Sequence, residues 1–192
     1  MAFLSQEHLN TMKFKHLGAN VRISDKSSIY NSENIIIGDN CRIDDFCILS
    51  AGVRGIIIGR NVHIAVYASL IGAEQILISD YANISARVSI YSSNDDYSGQ
   101  YMTNPTVAKE FTNVEHKPVY LGKHAIVGSG SIILPGAKLN TGVAVGALSL
   151  ILGRDYQEFM IYAGSPAKVI KERSRDLLKL EKNYNLVQLN KK

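Results

Sequence analysis

From Ile37 onward, a large aliphatic residue recurs at every sixth position through most of the chain. One block reads Ile37, Ile43, Leu49, then, after three extra residues around Arg54 to Ile57, Ile58, Ile64 and Leu70; a two-residue slip leads on to Ile78, Ile84 and Ile90. A second block is unbroken: Leu121, Val127, Ile133, Leu139, Val145 and Ile151. Four residues after nearly every aliphatic comes a small or β-branched residue, among them Cys41, Cys47, Val53, Ala68, Ala125 and Ser131, with Glu74 as the exception. Glycine often follows the aliphatic directly, as at Gly38, Gly59, Gly122, Gly128 and Gly146.

A helix repeats its apolar positions near 3.6 residues and a half-buried strand repeats them at 2, so a sustained period of six fits neither as a single element. It fits short strands joined by tight turns: one aliphatic directed inward per strand, a small residue where the interior narrows, and Gly or Asn where a turn needs positive φ. Such coils stack and cover one another's sheet edges, whereas the strands of a sandwich hold no common register across insertions. The positions make about six coils of ~18 residues, a prism filled by its own side chains. The expected fold is all-β, a parallel β-helix.

The ends read as helical. Ser5 is placed to cap a short helix through Met12, with Phe3, Leu9 and Met12 on its apolar side. Beyond Pro166, residues Leu177, Leu180, Tyr184 and Val187 recur at helical spacing, which predicts an amphipathic helix packed on the coil or on another subunit. The expected segments are 1–17 (helical), 18–165 (β-helix, with an extended loop at 91–118) and 166–192 (a basic helix).

Composition narrows the picture. The 192 residues carry 21 Lys and Arg against 17 Asp and Glu, enough chain for one sizeable core and no sign of a linker. The start is too polar for a signal peptide, and no apolar run approaches the roughly 18 residues of a membrane helix, so a cytoplasmic protein without stable membrane insertion is expected. Cys41 and Cys47 fall on adjacent faces of one coil and read as reduced core thiols. The basic excess lies in the tail, from Lys168 and Lys171 to Lys191 and Lys192; without a binding motif or interleaved aromatics it does not point to nucleic acid.

The hexad, its interruption between Ile90 and Leu121, and the closing run Tyr162-Ala163-Gly164-Ser165-Pro166-Ala167-Lys168-Val169-Ile170-Lys171 together resemble the hexapeptide-repeat acyltransferases, in particular the branch that acetylates sugars of bacterial surface polysaccharides. The resemblance implies a left-handed coil, an exception to the usual right-handed crossover. It also implies a homotrimer that binds acetyl-CoA between neighbouring coils and shares its active sites across the interface.

Residue by residue, the resemblance places Ser129 and the small pair Gly146 and Ala147 along the pantetheine arm, and Lys168 and Lys171 near the 3′-phosphate of CoA, where point charges suit a phosphate. The family's usual Thr-Lys after the last coil is replaced by Leu152-Gly153, with Arg154 next. The interrupted segment, Tyr91 to Pro118, is polar and rich in Tyr and Asn, and a loop of that length is usually functional. Tyr91, Tyr97 and Tyr101 are suited to stacking on sugar; a flap that only assists subunit packing is the alternative.

Family members that acetylate a hydroxyl usually carry a His where this loop leaves the coil, because the hydroxyl must lose a proton as it attacks. Here the positions read Asn94-Asp95-Asp96. Three readings stay open: Asp95 as the base, its pKa raised by burial or by Asp96; His116 at the returning end of the loop; or an amino-sugar acceptor whose amine needs no strong base. His63, before Ile64, reads as a corner residue, and His124 as a turn residue.

The expected function is acetyl transfer from acetyl-CoA to a sugar hydroxyl in surface polysaccharide or lipopolysaccharide synthesis. The alternatives are N-acetylation of an amino nucleotide sugar and a non-catalytic member of the fold. A zinc site of the γ-carbonic anhydrase kind would need converging imidazoles; His63, His116 and His124 suffice in number, but the close His-x4-His pair is missing.

Overall fold

The computed structural model describes residues 2–189, so Lys191 and Lys192 lie outside the described residues. The chain forms a parallel β-helix with three flat faces. The first face has seven strands, from His16–Leu17 to Asp155–Tyr156; the second has eight, from Arg22–Ile23 to Ala167–Glu172; the third has six, from Ser28–Tyr30 to Leu150–Ile151. Identical register positions stack: Ile37, Ile58, Ile78 and Leu121 are successive partners on the first face.

Every register aliphatic from Ile37 to Ile151 is buried, each stabilising the fold by about 1.5–3 kcal/mol relative to exposure. The first face has seven strands because the register starts one coil earlier than Ile37. Leu17, Ile23 and Ile29 already stand six apart, and Ile23 is fully buried. The small row is buried too, except at Val53, which is 89% exposed. The extra residues there form a turn closed by Gly55 N–H to the Gly52 carbonyl, with Gly55 at φ +82, and Val53 rides on its outside.

The turns divide two demands that the sequence pattern had merged. Left-handed φ is taken by Asn20, Asn40, Asn61, Tyr81 and His124 at the first corner and by Phe46, Tyr67, Arg87 and Leu148 at the second. The glycine after the aliphatic answers a different need, close approach of the next coil. A Cβ at Gly128 would stand 2.5 Å from the Ala147 nitrogen.

Helix α1, Gln6–Thr11, is capped as expected: Ser5 Oγ accepts from the His8 amide at 3.1 Å, and Leu9 is buried. At the other end, residues expected to be helical from 166 are strand up to Glu172. Ala167–Glu172 folds back antiparallel on Met160–Gly164 and caps the open edge of the second face, and an unpaired edge is what such a cap removes. Helix α2 begins only at Leu177 and runs to Leu189. It is pinned to the first corner by Glu181, which accepts from Lys123 Nζ at 2.5 Å and meets His124 Nε2 at 2.8 Å, and by Tyr81 Oη donating to Asn185 at 2.9 Å. Leu180, Tyr184 and Val187 remain exposed.

Cys41 and Cys47 are buried and free, and burial pushes both thiols up to about 11, which leaves them unreactive at neutral pH. No helix among the described residues is long and apolar enough to cross a membrane.

Candidate functional site

The second corner of the coil carries a continuous vertical track. Its ladder is set by backbone bonds from Tyr67 N to Asp45 O, Arg87 N to Val66 O, Gly130 N to Ala86 O and Leu148 N to Ser129 O, all 2.9–3.1 Å. These bonds stack Asp45-Phe46, Val66-Tyr67, Ala86-Arg87, Ser129-Gly130 and Ala147-Leu148 over one another.

The upper part of the track is nearly bare backbone. Gly128, Ser129 and Gly130 lie on one coil, and Gly146 and Ala147 on the next. A Cβ at Gly146 would lie 2.9 Å from Ala163 Cβ on the coil above. Ala163 is the register partner of Lys168. Four of the expected CoA residues, Ser129, Gly146, Ala147 and Lys168, therefore fall on one line. Lys171 does not join them: it pairs with Ile161, farther along the hairpin, and is exposed. Lys168 borders a cleft with Arg154, Tyr156 and Tyr162. The Arg154 guanidinium stacks on Tyr156 at 5.0 Å and donates to the Ala167 carbonyl at 3.0 Å, so it is partly committed within that cleft. A strip of Gly, Ser and Ala, flanked by the exposed Leu148 and ending at a cation, fits a long pantetheine arm with a terminal phosphate.

The lower part is aromatic and cationic. Phe46 and Tyr67 stack with centroids 4.9 Å apart; Lys26 lies over the Phe46 ring at 5.7 Å and the Arg87 guanidinium over the Tyr67 ring at 5.8 Å. Asp45 sits beside Lys26, held below the usual carboxylate range chiefly by the hydrogen bond from Ser24. On the adjoining second face, Asp44 binds Arg42 Nε at 2.6 Å and His63 Nε2 at 2.8 Å, and His63 Nδ1 faces Asn83 at 3.2 Å. His63 is thus a half-buried face residue between Arg42 and Asn83, and not a corner residue.

The loop leaves from the third corner. Its neck is a two-residue antiparallel ladder, Ser93–Asn94 against Glu115–His116. This brings Asn94 and His116 onto neighbouring strands. His116 Nδ1 lies 2.8 Å from Ser93 Oγ, which accepts from the Ala73 amide at 2.9 Å. Asp95 follows, exposed and without a hydrogen bond or ion pair among the described residues. Asp96 is turned into the loop, where Ser98 and Asn113 donate to it and hold it below the usual carboxylate range. Asp96 therefore spends its oxygens within the loop, on Ser98 and Asn113. Tyr91 lies on the third face, while Tyr97 and Tyr101 are exposed on the loop. His63, His116 and His124 belong to three separate networks, and no three His, Cys, Asp or Glu side chains among the described residues could hold a metal ion.

No family model matches the chain. It is 55% identical over 181 residues to the dTDP-4-amino-4,6-dideoxy-D-glucose acyltransferase of Escherichia coli, covering 94% of each chain. The chain belongs to the hexapeptide-repeat sugar acyltransferases. It is also 29% identical, over 83% of its own length and 80% of the other, to WbbJ of Escherichia coli K12, described as a putative lipopolysaccharide biosynthesis O-acetyl transferase.

Among solved structures this acyltransferase resembles AntD, an N-acyltransferase from Bacillus cereus. An aspartate variant of AntD in complex with dTDP and coenzyme A superposes with a TM-score of 0.91 at 42% identity, covering 97% of this chain and 100% of that one. A serine variant, with the same score and identity, covering 97% and 98%, holds dTDP-4-amino-4,6-dideoxyglucose and coenzyme A. The chain is an acyltransferase, with acyl-CoA as its co-substrate. Two residues of the track escaped the sequence reading, Ser85 and Arg87. They sit directly below Gly128 and Gly130, but hexad small positions and turn residues look alike in sequence.

Proposed function

We propose that this acyltransferase moves the acyl group of an acyl-CoA, acetyl in the simplest case, onto the amine of a dTDP-linked 4-amino-4,6-dideoxy sugar, as a cytoplasmic homotrimer. One observation carries the reading. The AntD variants replace a serine and the aspartate ten positions after it, and in this chain only Ser85 is followed by an aspartate, Asp95, at that distance. Ser85 lies at the second corner, one coil below Ser129, its amide bonded to the Val127 carbonyl at 3.0 Å. Asp95 is the free carboxylate at the loop neck.

The chemistry follows. A sugar amine is largely an ammonium at neutral pH and must lose a proton before its lone pair can attack the thioester carbonyl; a nearby carboxylate accepts that proton. The free amine then adds to the carbonyl, and as the tetrahedral adduct collapses the C–S bond breaks and the nitrogen gives up a second proton to the departing sulfur, leaving an amide and CoA thiol. Because an amine is nucleophilic once deprotonated, an imidazole at the neck is not required, which accounts for Asn94-Asp95-Asp96 where a His was sought. The hydroxyl acceptor first expected therefore gives way to the amine, with Ser85 orienting it and Asp95 taking its proton.

Within one chain the whole third face, including strand Ser89–Tyr91, lies between Ser85 and the neck that carries Asp95. A neighbouring copy is suited to bring its loop against this corner, as the shared site of a trimer requires. Ser129, Gly146, Ala147 and Lys168 would then lead CoA down the same track, while Asn94 and His116 shape the neck.

The test is a pair of substrates. Given acyl-CoA, the enzyme is expected to release CoA with the dTDP-linked 4-amino sugar and not with its 4-hydroxy counterpart, and the product should resist mild alkali as an amide does. Turnover on the hydroxyl sugar alone contradicts the proposal.

A further inference from the structure

Arg87 stands out among the cations near the track. Towards the ends of the track, Lys26 lies 3.5 Å from Asp45, and the Arg154 guanidinium is held by the Tyr156 ring and the Ala167 carbonyl. Among the described residues Arg87 has no carboxylate in ion-pair reach, and its guanidinium rests on the Tyr67 ring at 5.8 Å. A guanidinium stacked on an aromatic face keeps its in-plane N–H donors directed outward and loses little freedom when it binds. Its backbone is fixed as well: Arg87 holds left-handed φ (+60) at the corner, with its amide bonded to the Val66 carbonyl at 3.0 Å.

Position decides what those donors face. Arg87 is two residues past Ser85 and one coil below Ser129-Gly130. Above it the track carries Gly130 and then only the exposed Leu148 beside small residues; below it the track is ringed by Tyr67 and Phe46, and ends at the Lys26–Asp45 pair, whose carboxylate repels phosphate. The half built of small residues beside Leu148 suits a flexible arm, and the half with an unpaired guanidinium above two aromatic rings suits an anion joined to a flat ring system.

We propose that Arg87 binds the diphosphate of the nucleotide-sugar acceptor, so that the two substrates lie end to end along one corner, CoA above the level of Ser85 and the nucleoside diphosphate below it. This rests on the nucleotide-sugar reading given above. A 4-amino hexose carries its amine and its diphosphate on opposite ends of the ring, so a single sugar spans from the Ser85 contact to the Arg87 contact. The fork of guanidinium donors matches phosphate oxygens two at a time.

Calorimetry on the full chain with dTDP, thymidine and CoA tests this. Wild-type protein is expected to bind dTDP and CoA. Arg87→Gln should weaken dTDP by about 10- to 100-fold, the range for charged hydrogen bonds, while CoA affinity stays the same and the difference between dTDP and thymidine collapses. Arg87→Lys, which keeps the charge and loses the fork, should fall between the two. Equal dTDP affinity in wild type and Arg87→Gln overturns the proposal and leaves the acceptor reading intact. A loss confined to CoA assigns Arg87 to the other substrate and also overturns it. Wild-type protein that binds CoA but not dTDP ends the nucleotide-acceptor reading itself, and this inference with it.

Discussion

Ser93 Oγ lies 2.8 Å from His116 Nδ1 and at the same time accepts the Ala73 amide at 2.9 Å. The imidazole is therefore tied to the coil at the point where the loop departs. Its role in this account is to fasten the neck and not to move the acceptor's proton. His116→Ala should leave kcat within about tenfold of wild type, well short of the 10² to 10⁴ that removal of a general base commonly costs. Steady-state rates on the amino sugar check this, and a loss in the larger range would return His116 to the chemistry.

The CoA track separates two lysines that look equivalent in sequence. Lys168 partners Ala163, next to Gly146, whereas Lys171 partners Ile161 away from the corner. Lys168→Ala should weaken CoA by about 1 kcal/mol, as expected for a solvent-screened contact, and Lys171→Ala by less. Titration calorimetry with CoA resolves the difference, and equal losses would place both at the phosphate.

Helix α2 depends on a carboxylate in a way that sets a pH window. Burial pushes Glu181 up, but hydrogen bonds from Lys123 and His124 outweigh it and hold Glu181 below the ordinary Glu range. A carboxyl with a depressed folded-state pKa stabilises the folded form above its unfolded pKa, about 4.3 for Glu, and that contribution is lost as pH falls through the folded value. Docking of α2 should thus weaken only on acidification below about pH 4, and Glu181→Gln should remove that part of the acid dependence. Proteolysis of the tail against pH measures it. Release of α2 already at pH 6 in wild type would contradict the Glu181 assignment.

Much of this architecture is legible in the chain because the hexad is a packing rule: one inward aliphatic per strand must recur wherever the prism has three faces. That rule places Ile133 or Leu70 without any structure. It fails at Val53, where an insertion breaks the count, and it misses the first coil, whose Leu17, Ile23 and Ile29 precede the long run. The site is less legible because it is made by stacking. Gly128 and Ser85 are 43 residues apart in sequence, and only the ladder at the second corner sets one above the other. Asp95 is visible as a carboxylate at the loop exit, whereas the donors that take up Asp96's oxygens, Ser98 and Asn113, are brought to it only by the fold of the loop.

Sharing of the site between copies gives a complementation result. Ser85→Ala and Asp95→Asn subunits, each inactive alone, should regain about a quarter of wild-type activity when mixed, the share of interfaces at which random assembly joins the two intact halves. No recovery in mixed assemblies that are shown to form would mean that both residues act within one chain.

The central claim, that Asp95 takes a proton from an amine, is tested most directly by the pH dependence of Asp95→Asn. At neutral pH its kcat on the dTDP-linked 4-amino sugar should fall by about 10² to 10⁴, with CoA affinity unchanged. As pH rises and the sugar ammonium loses its proton to water, the variant should recover towards the wild-type rate. A deficit that stays constant through alkaline pH, or no deficit at all, would contradict the account.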